Sequence, residues 1–225
     1  NSIYDIQFID KELGWEVGLN GTLLKTTDSG KKWQNMNNAS FSRSIGTVQF
    51  FNSEIGIITE KEGAVFKTTN AGIDWVKLNE MHDLSFQDVF FINEQIGWIG
   101  LWSWIGEYYI MKTTDGGSYW SYQKALRDTS INEIQFLNEN IGYAVGNHSS
   151  GLFFKTEDGG KNWSINEIDP NKYIISLCFI NQNTGWLVGN SGFIVKTTDG
   201  GGNWIYQNVS PDFDFNKVVF IDENN

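Results

Sequence analysis

The sequence predicts an all-β chain, a β-propeller built of four-stranded antiparallel blades. Three observations carry this reading: a tryptophan-ending turn motif at near-constant spacing, four short apolar runs in each period, and no helical periodicity of useful length. The motif reads KTTDSGKKW at 25–33, KTTNAGIDW at 67–75, KTTDGGSYW at 112–120, KTEDGGKNW at 155–163 and KTTDGGGNW at 196–204. Its tryptophans, Trp33, Trp75, Trp120, Trp163 and Trp204, stand 42, 45, 43 and 41 residues apart. A period slightly above 40 with four strands per unit is that of a propeller blade.

The strands follow in order within each unit. In the first they are IYDIQFI, GWEVG, TLLKTT and WQNMN, separated by Gly, Asn and Asp, the residues of tight turns. The first strand and the turn after it recur as FIDKELGW, FFNSEIGI, FINEQIGW, FLNENIGY and FINQNTGW, and a sixth copy begins with FIDENN. One domain of five blades is therefore expected, at 1–42, 43–84, 85–129, 130–172 and 173–213, with 214–225 the first strand of a further blade. Both ends fall in equivalent strands, so the chain reads as a segment of a longer array.

The motif itself is a turn clamp. Asp28, Asp115, Asp158 and Asp199, with Asn70 in the second unit, are placed to accept backbone N–H bonds across the turn. The glycine two positions on (Gly30 in the first unit) permits a positive φ. The tryptophan then covers the turn and enters the core between blades, where a side chain of its class buries about 150–250 Å². Equivalent sites repeated around a ring, four with a carboxylate and one with Asn70, cannot all serve one active centre, so the motif is scaffold. The same holds for Lys25, Lys67, Lys112, Lys155 and Lys196, whose stems are expected to lie on apolar surface.

Composition narrows the function classes. A formal net charge of −11 disfavours nucleic acid and anionic membranes as partners. No apolar run approaches the roughly 20 residues needed to span a bilayer as a helix. Cys178 is alone, so no intramolecular disulfide forms, and it reads as an inert strand thiol. Two histidines and one cysteine are too few for a zinc cluster, and no cofactor or metal site is expected.

The repeated Thr-x-Asp-x-Gly-x-x-Trp motif resembles the Asp-box, or bacterial neuraminidase repeat. The longer unit FIDKELGWEVGLNGTLLKTTDSGKKW is similar to the repeat of the photosystem II stability and assembly factor family, and the resemblance covers essentially the whole chain. It implies a seven-bladed propeller without catalytic activity that holds another protein during assembly. It also implies an extracytoplasmic location, whether periplasmic, cell-surface or secreted. Members that serve photosystem II present an arginine-containing basic face. This chain carries only Arg43 and Arg127 and is acidic, so a different client is expected.

What breaks the repeat is where function is sought. Eleven positions separate the strand-two glycine from the box lysine in units one, two and five, against fifteen in unit three and thirteen in unit four. The extra residues of unit three lie in LWSWIGEYY, an inserted hairpin tip on the face away from the boxes. Trp102, Trp104, Tyr108 and Tyr109 there are candidate contacts for a protein client or a cell-surface glycan, unless they pack on the neighbouring blade. His148 stands at the neighbouring tip, and Arg43, Arg127 and Asp128 lie in connections on the same face.

Two alternatives are a carbohydrate-binding module using Trp102 and Trp104, and a glycoside hydrolase. Two arginines fall short of the three with which a sialidase grips its substrate's carboxylate, so that activity is excluded for these residues. Other glycosidases need one protonated and one ionised carboxyl group close together. Asp5, Asp88 and Glu133, each three residues before the first-strand Phe, are the candidates near the central channel, where the other units place Thr47, Ser176 and Lys217.

Overall fold

The computed structural model describes residues 2–36, 41, 43–103, 107–127, 129–148, 150–210, 212–220 and 222. Among these residues, twenty strands form five sheets of four, each a simple antiparallel meander. The first blade holds β1 (Ile3–Phe8), β2 (Gly14–Gly18), β3 (Thr22–Thr26) and β4 (Gln34–Asn35), and the second β5 (Ile45–Phe50), β6 (Gly56–Glu60), β7 (Ala64–Thr68) and β8 (Val76–Glu80). The third holds β9 (Leu84–Phe91), β10 (Gly97–Ser103), β11 (Glu107–Thr113) and β12 (Ser121–Arg127). The fourth holds β13 (Ser130–Phe136), β14 (Gly142–His148), β15 (Ser150–Thr156) and β16 (Ser164–Asp169), and the fifth β17 (Ile174–Phe179), β18 (Gly185–Gly189), β19 (Ile194–Thr197) and β20 (Ile205–Tyr206).

The core sits between blades, one cluster at each junction. Trp15, Val17 and Leu23 of the first blade pack with Ile45, Phe50, Phe66 and Trp75 of the second. The next three junctions repeat the arrangement around Phe91 and Trp120, Phe136 and Trp163, and Phe179 and Leu187. At each junction the strand-two side chain of one blade lies on the first-strand Phe of the next. Trp15 stacks on Phe50 at 3.5 Å, Trp98 on Phe136 at 3.5 Å and Tyr143 on Phe179 at 3.7 Å. Ile57 fills this role against Phe91. Phe8, on the outer side of the first blade, is 42% exposed, whereas Phe50, Phe91, Phe136 and Phe179 are at most 3% exposed.

The Asp-box folds as its residue types require, with threonine as the hub. Thr26 Oγ1 accepts from the Gly30 N–H at 2.9 Å and donates to Asp28 Oδ1, which also accepts the Lys32 N–H at 2.8 Å. The same three bonds recur around Thr68, Thr113, Thr156 and Thr197. These bonds hold the Asp28 carboxyl below its ordinary pKa, and the Asn203 amide lowers Asp199 to about 2. Gly30 sits at φ 80°, and Trp75, Trp120 and Trp163 are buried beneath their turns.

The box lysines do more than cover apolar surface. Lys25, Lys112 and Lys196 hold their ammonium groups 5.3, 4.7 and 4.8 Å from the ring centroids of Trp15, Trp98 and Trp186. Lys25 and Lys112 then donate to carbonyls of the next blade's box, at Ala71 and Gly159.

Box and first turn share one face, since Ser29, Ala71, Gly116, Gly159 and Gly200 donate to carbonyls of the first turns. Second turns and blade connections share the other, as in Lys61 N–H to Ser44 O and Met81 N–H to Gly63 O.

Candidate functional site

Two places differ from blade to blade: the second-turn face over blades three and four, and the central channel.

On the second-turn face, the extra residues of unit three lengthen strands. β10 and β11 run seven residues each and stay in register from Gly97 opposite Thr113 to Trp102 opposite Tyr108. β9 and β12 lengthen with them, to eight and seven residues, so the whole third blade stands taller. Pairing explains this: two hairpin strands extended together expose fresh N–H and C=O groups, which the flanking strands satisfy. Trp102 is half-buried, its neighbour Leu101 fully buried. Tyr109 packs on the cluster of Leu101 and Met111 and meets Tyr122 edge-on at 5.1 Å. Arg43 donates to the Glu62 carbonyl at 3.2 Å and lies 3.6 Å from Glu80. Trp104 and Asp128 lie outside the described residues, as do the side chains of Tyr108, Arg127 and His148.

The central channel is a cavity of about 590 Å³ lined by the first strands. It brings together Asp5, Asp88, Glu133 and Lys217, with Lys61 held 3.6 Å over the Tyr4 ring at its edge. Each carboxylate reaches to the next first strand. Asp5 accepts the Val48 N–H at 2.9 Å, Asp88 that of Ile134 at 2.8 Å and Glu133 that of Leu177 at 2.9 Å. Two residues on, Gln7, Gln49 and Gln135 form a second rung, each donating to the carbonyl and accepting from the N–H of Phe50, Phe91 and Phe179 respectively. First strands thus clasp one another through side chains. The signal in the sequence is a Gln directly before the first-strand Phe in three of five units.

The channel carboxyl groups differ in their surroundings. Burial, then the nearby Glu133 charge, pushes Asp88 up to about 8. Burial also raises Asp5, against the backbone bonds to its carboxylate. Lys217 Nζ lies 2.5 Å from Glu133 Oε1; burial works against the ammonium, but Glu133, with Asp88 and Asp5 behind it, holds its pKa above the ordinary lysine value. Among the described residues, no group of three or more His, Cys, Asp or Glu side chains is arranged to hold a metal ion.

Fold and site define an Asp-box repeat propeller with a clasped, acid-lined channel and taller third and fourth blades. The family model for the photosynthesis system II assembly factor YCF48 matches residues 1–85 and 126–214, and the chain belongs to this family. The internal span left unmatched, 86–125, holds nearly all of the third blade. Among solved structures, the chain is similar to YCF48 bound to D1 peptide, at 18% identity over 91% of this chain and 80% of that one, with a TM-score of 0.62. It is also similar to YCF48 from Cyanidioschyzon merolae, at 16% identity over 91% and 84% of the two chains and a TM-score of 0.59. The GH74 enzyme of Niastella koreensis matches at 17% identity and a TM-score of 0.70, over 91% of this chain and 38% of the enzyme. These likenesses are of fold. Comparison with curated protein sequences gives no significant match.

Proposed function

We propose that this chain is a non-catalytic binding propeller that holds a protein client on its second-turn face, with the third blade as the element that selects the client. The observation that carries this reading is the coincidence at 86–125. The internal span outside the family model's match holds β10 and β11, which lengthen toward the second turn and carry Trp102 with them. A family member in complex with a peptide of D1 supports a protein partner, while the acidity of this chain points to a different one. An extracytoplasmic location and membership of a seven-bladed ring belong to the same proposal and rest on the family. Among the described residues, no helix is long and apolar enough to cross a membrane.

The test is site-specific photo-crosslinking in the source cell. A photoreactive phenylalanine analogue at position 102 should capture one recurring protein that the same analogue at Tyr119, exposed on the box face, does not. Equal capture from both positions overturns the reading.

The hydrolase reading has one observation of its own. Asp88 is held protonated near neutral pH while Glu133 is paired with Lys217, the asymmetry that acid–base cleavage of a glycoside uses. Against it, both carboxylates are engaged in the clasp between blades, as Asp5 is at a junction with no such asymmetry. Release of reducing ends from a β-glucan, abolished by Asp88→Asn, would reverse the order of the two readings.

A further inference from the structure

The junctions between blades follow one plan, and the junction between the second and third blades departs from it in three places. At the other junctions a strand-two ring lies flat on the next first-strand Phe: Trp15 on Phe50, Trp98 on Phe136 and Tyr143 on Phe179. Between blades two and three this position holds Ile57, which packs on Phe91 without a stacked ring. Asp5, Asp88 and Glu133, each three residues before a first-strand Phe, reach across to the next first strand. Thr47, their counterpart in the second blade, turns back on its own blade, its Oγ1 2.6 Å from Thr59 Oγ1. Lys25 and Lys112 each lie over a strand-two indole and donate to a carbonyl of the next box. Lys67 stands opposite the aliphatic Ile57 and, among the described residues, makes no such bond to the third box.

What does cross this junction is unevenly placed. Toward the second turns the chain itself passes from β8 to β9, and the Phe86 N–H donates to the Lys61 carbonyl at 2.9 Å. Asp83, within that passage, stands at φ 65°, in the left-handed region. Toward the first turns the channel side is held by the Gln49 clasp on Phe91, and the outer side by Asn79, which donates to the Ser118 carbonyl of the third box at 2.8 Å. β5 and β6 also lie against β9 less extensively than the matching strands do at the three other junctions between blades. Stacked rings and a cation held over them contribute beyond the area they bury, so a junction lacking both is the first to open. A short connection beside it absorbs the change in backbone angles.

We propose that the junction between the second and third blades is a hinge: blades three to five turn as one body against blades one and two, pivoting on residues 81–86 and parting Ile57 from Phe91 on the box side. The hinge is a property of the chain alone and does not depend on a client at the second-turn face. The angle between the two bodies is the quantity that a partner touching both sets.

The test is native-state hydrogen exchange, read as protection factors. The Phe91 and Phe179 amides are bonded alike, to Gln49 at 2.9 Å and Gln135 at 2.8 Å, but the first ring lies under Ile57 and the second under Tyr143. Phe91 should be at least about tenfold less protected than Phe179. Ile57→Tyr, which installs the ring that the fourth blade carries, should raise Phe91 protection about tenfold, and Tyr143→Ile should lower that of Phe179 by a similar factor. Should Ile57→Tyr fold poorly, Tyr143→Ile still decides. Spin labels on exposed first-turn positions report the turning itself: Glu54→Cys with Gln95→Cys, across the hinge, should give a broader distance distribution than Asn140→Cys with Asn183→Cys, across the junction of blades four and five. The native Cys178 is buried. Equal protection of Phe91 and Phe179, unchanged protection of Phe179 in Tyr143→Ile, or equally narrow distributions from the two label pairs would each overturn the proposal.

Discussion

Gly142→Ala is the sharpest test of how the blades are joined. A Cβ built at this position lies 2.3 Å from Phe136 Cε1 and 2.5 Å from Cζ, about 1 Å inside ordinary contact. The ring cannot retreat, because Trp98 of the preceding blade stacks on it at 3.5 Å and 7° while Trp163 abuts it edge-on at 5.9 Å. Overpacking of this kind costs about 1–3 kcal/mol. For a chain of this size each kcal/mol lowers the melting temperature by about 2–4 °C, so a drop of about 2–12 °C is expected. The assay is a thermal melt followed by tryptophan fluorescence. Gly202→Ala is the control, since its nearest neighbours are the Asp199 carboxyl atoms at 3.3–3.4 Å, and it should stay within about 0.5 kcal/mol of wild type. Adding Phe136→Leu to Gly142→Ala should recover part of the loss through a favourable coupling of about 0.5–3 kcal/mol. A Gly142→Ala melt indistinguishable from wild type would refute the reasoning, because the ring would then have room to move.

Other outcomes follow from the same structure. Asp88 carries a folded pKa of about 8, above its unfolded value near 4, so the folded chain binds that proton more tightly. Its contribution to stability is therefore fully present below about pH 4 and lost as pH rises to about 8. Asp88→Asn, which still accepts the Ile134 N–H, should flatten that part of the stability profile in urea titrations at pH 5 and pH 9. Asp199 has the opposite sign: its pKa of about 2 makes its contribution fade only as pH falls below about 4. Thr113→Val removes the acceptor for the buried Gly117 N–H and the donor to Asp115, and should lower stability by about 1–3 kcal/mol, with a shifted urea midpoint at unchanged slope. Tyr109→Ala should lower the melting temperature, since its ring rests on the third-blade cluster.

The blades were legible in the sequence because their punctuation is local. Gly30 and its counterparts need positive φ, and Asp28 and Trp33 close the turn within a few residues, so each box can be read without knowing its neighbours. The face assignment followed from counting turns. The clasps were harder to see, because Gln7, Gln49, Asp5 and Glu133 sit in strands as ordinary polar residues. Their partners are 42–44 residues away, and only the inter-blade geometry makes them neighbours. The role of Lys217 was hidden for the same reason: its carboxylate partner lies 84 residues earlier. The lengthened third blade read as a hairpin tip since sequence spacing counts inserted residues without saying whether they pair. There the surplus from Gly97 to Lys112 was absorbed by β10 and β11, and the outer strands followed.

The stacking of a strand-two aromatic on the next blade's Phe has a consequence for how such chains grow. Each junction is made by two adjoining repeats and no third, so its energy is a nearest-neighbour quantity. Removing residues 50–90 would bring Phe91 onto the face of Trp15 and leave Gln49 joined directly to the Phe it already clasps. The register of the whole would survive as that of a shorter chain. Copy number in a molecule of this kind is thus free to drift by whole repeats, while the chemistry inside a repeat is not.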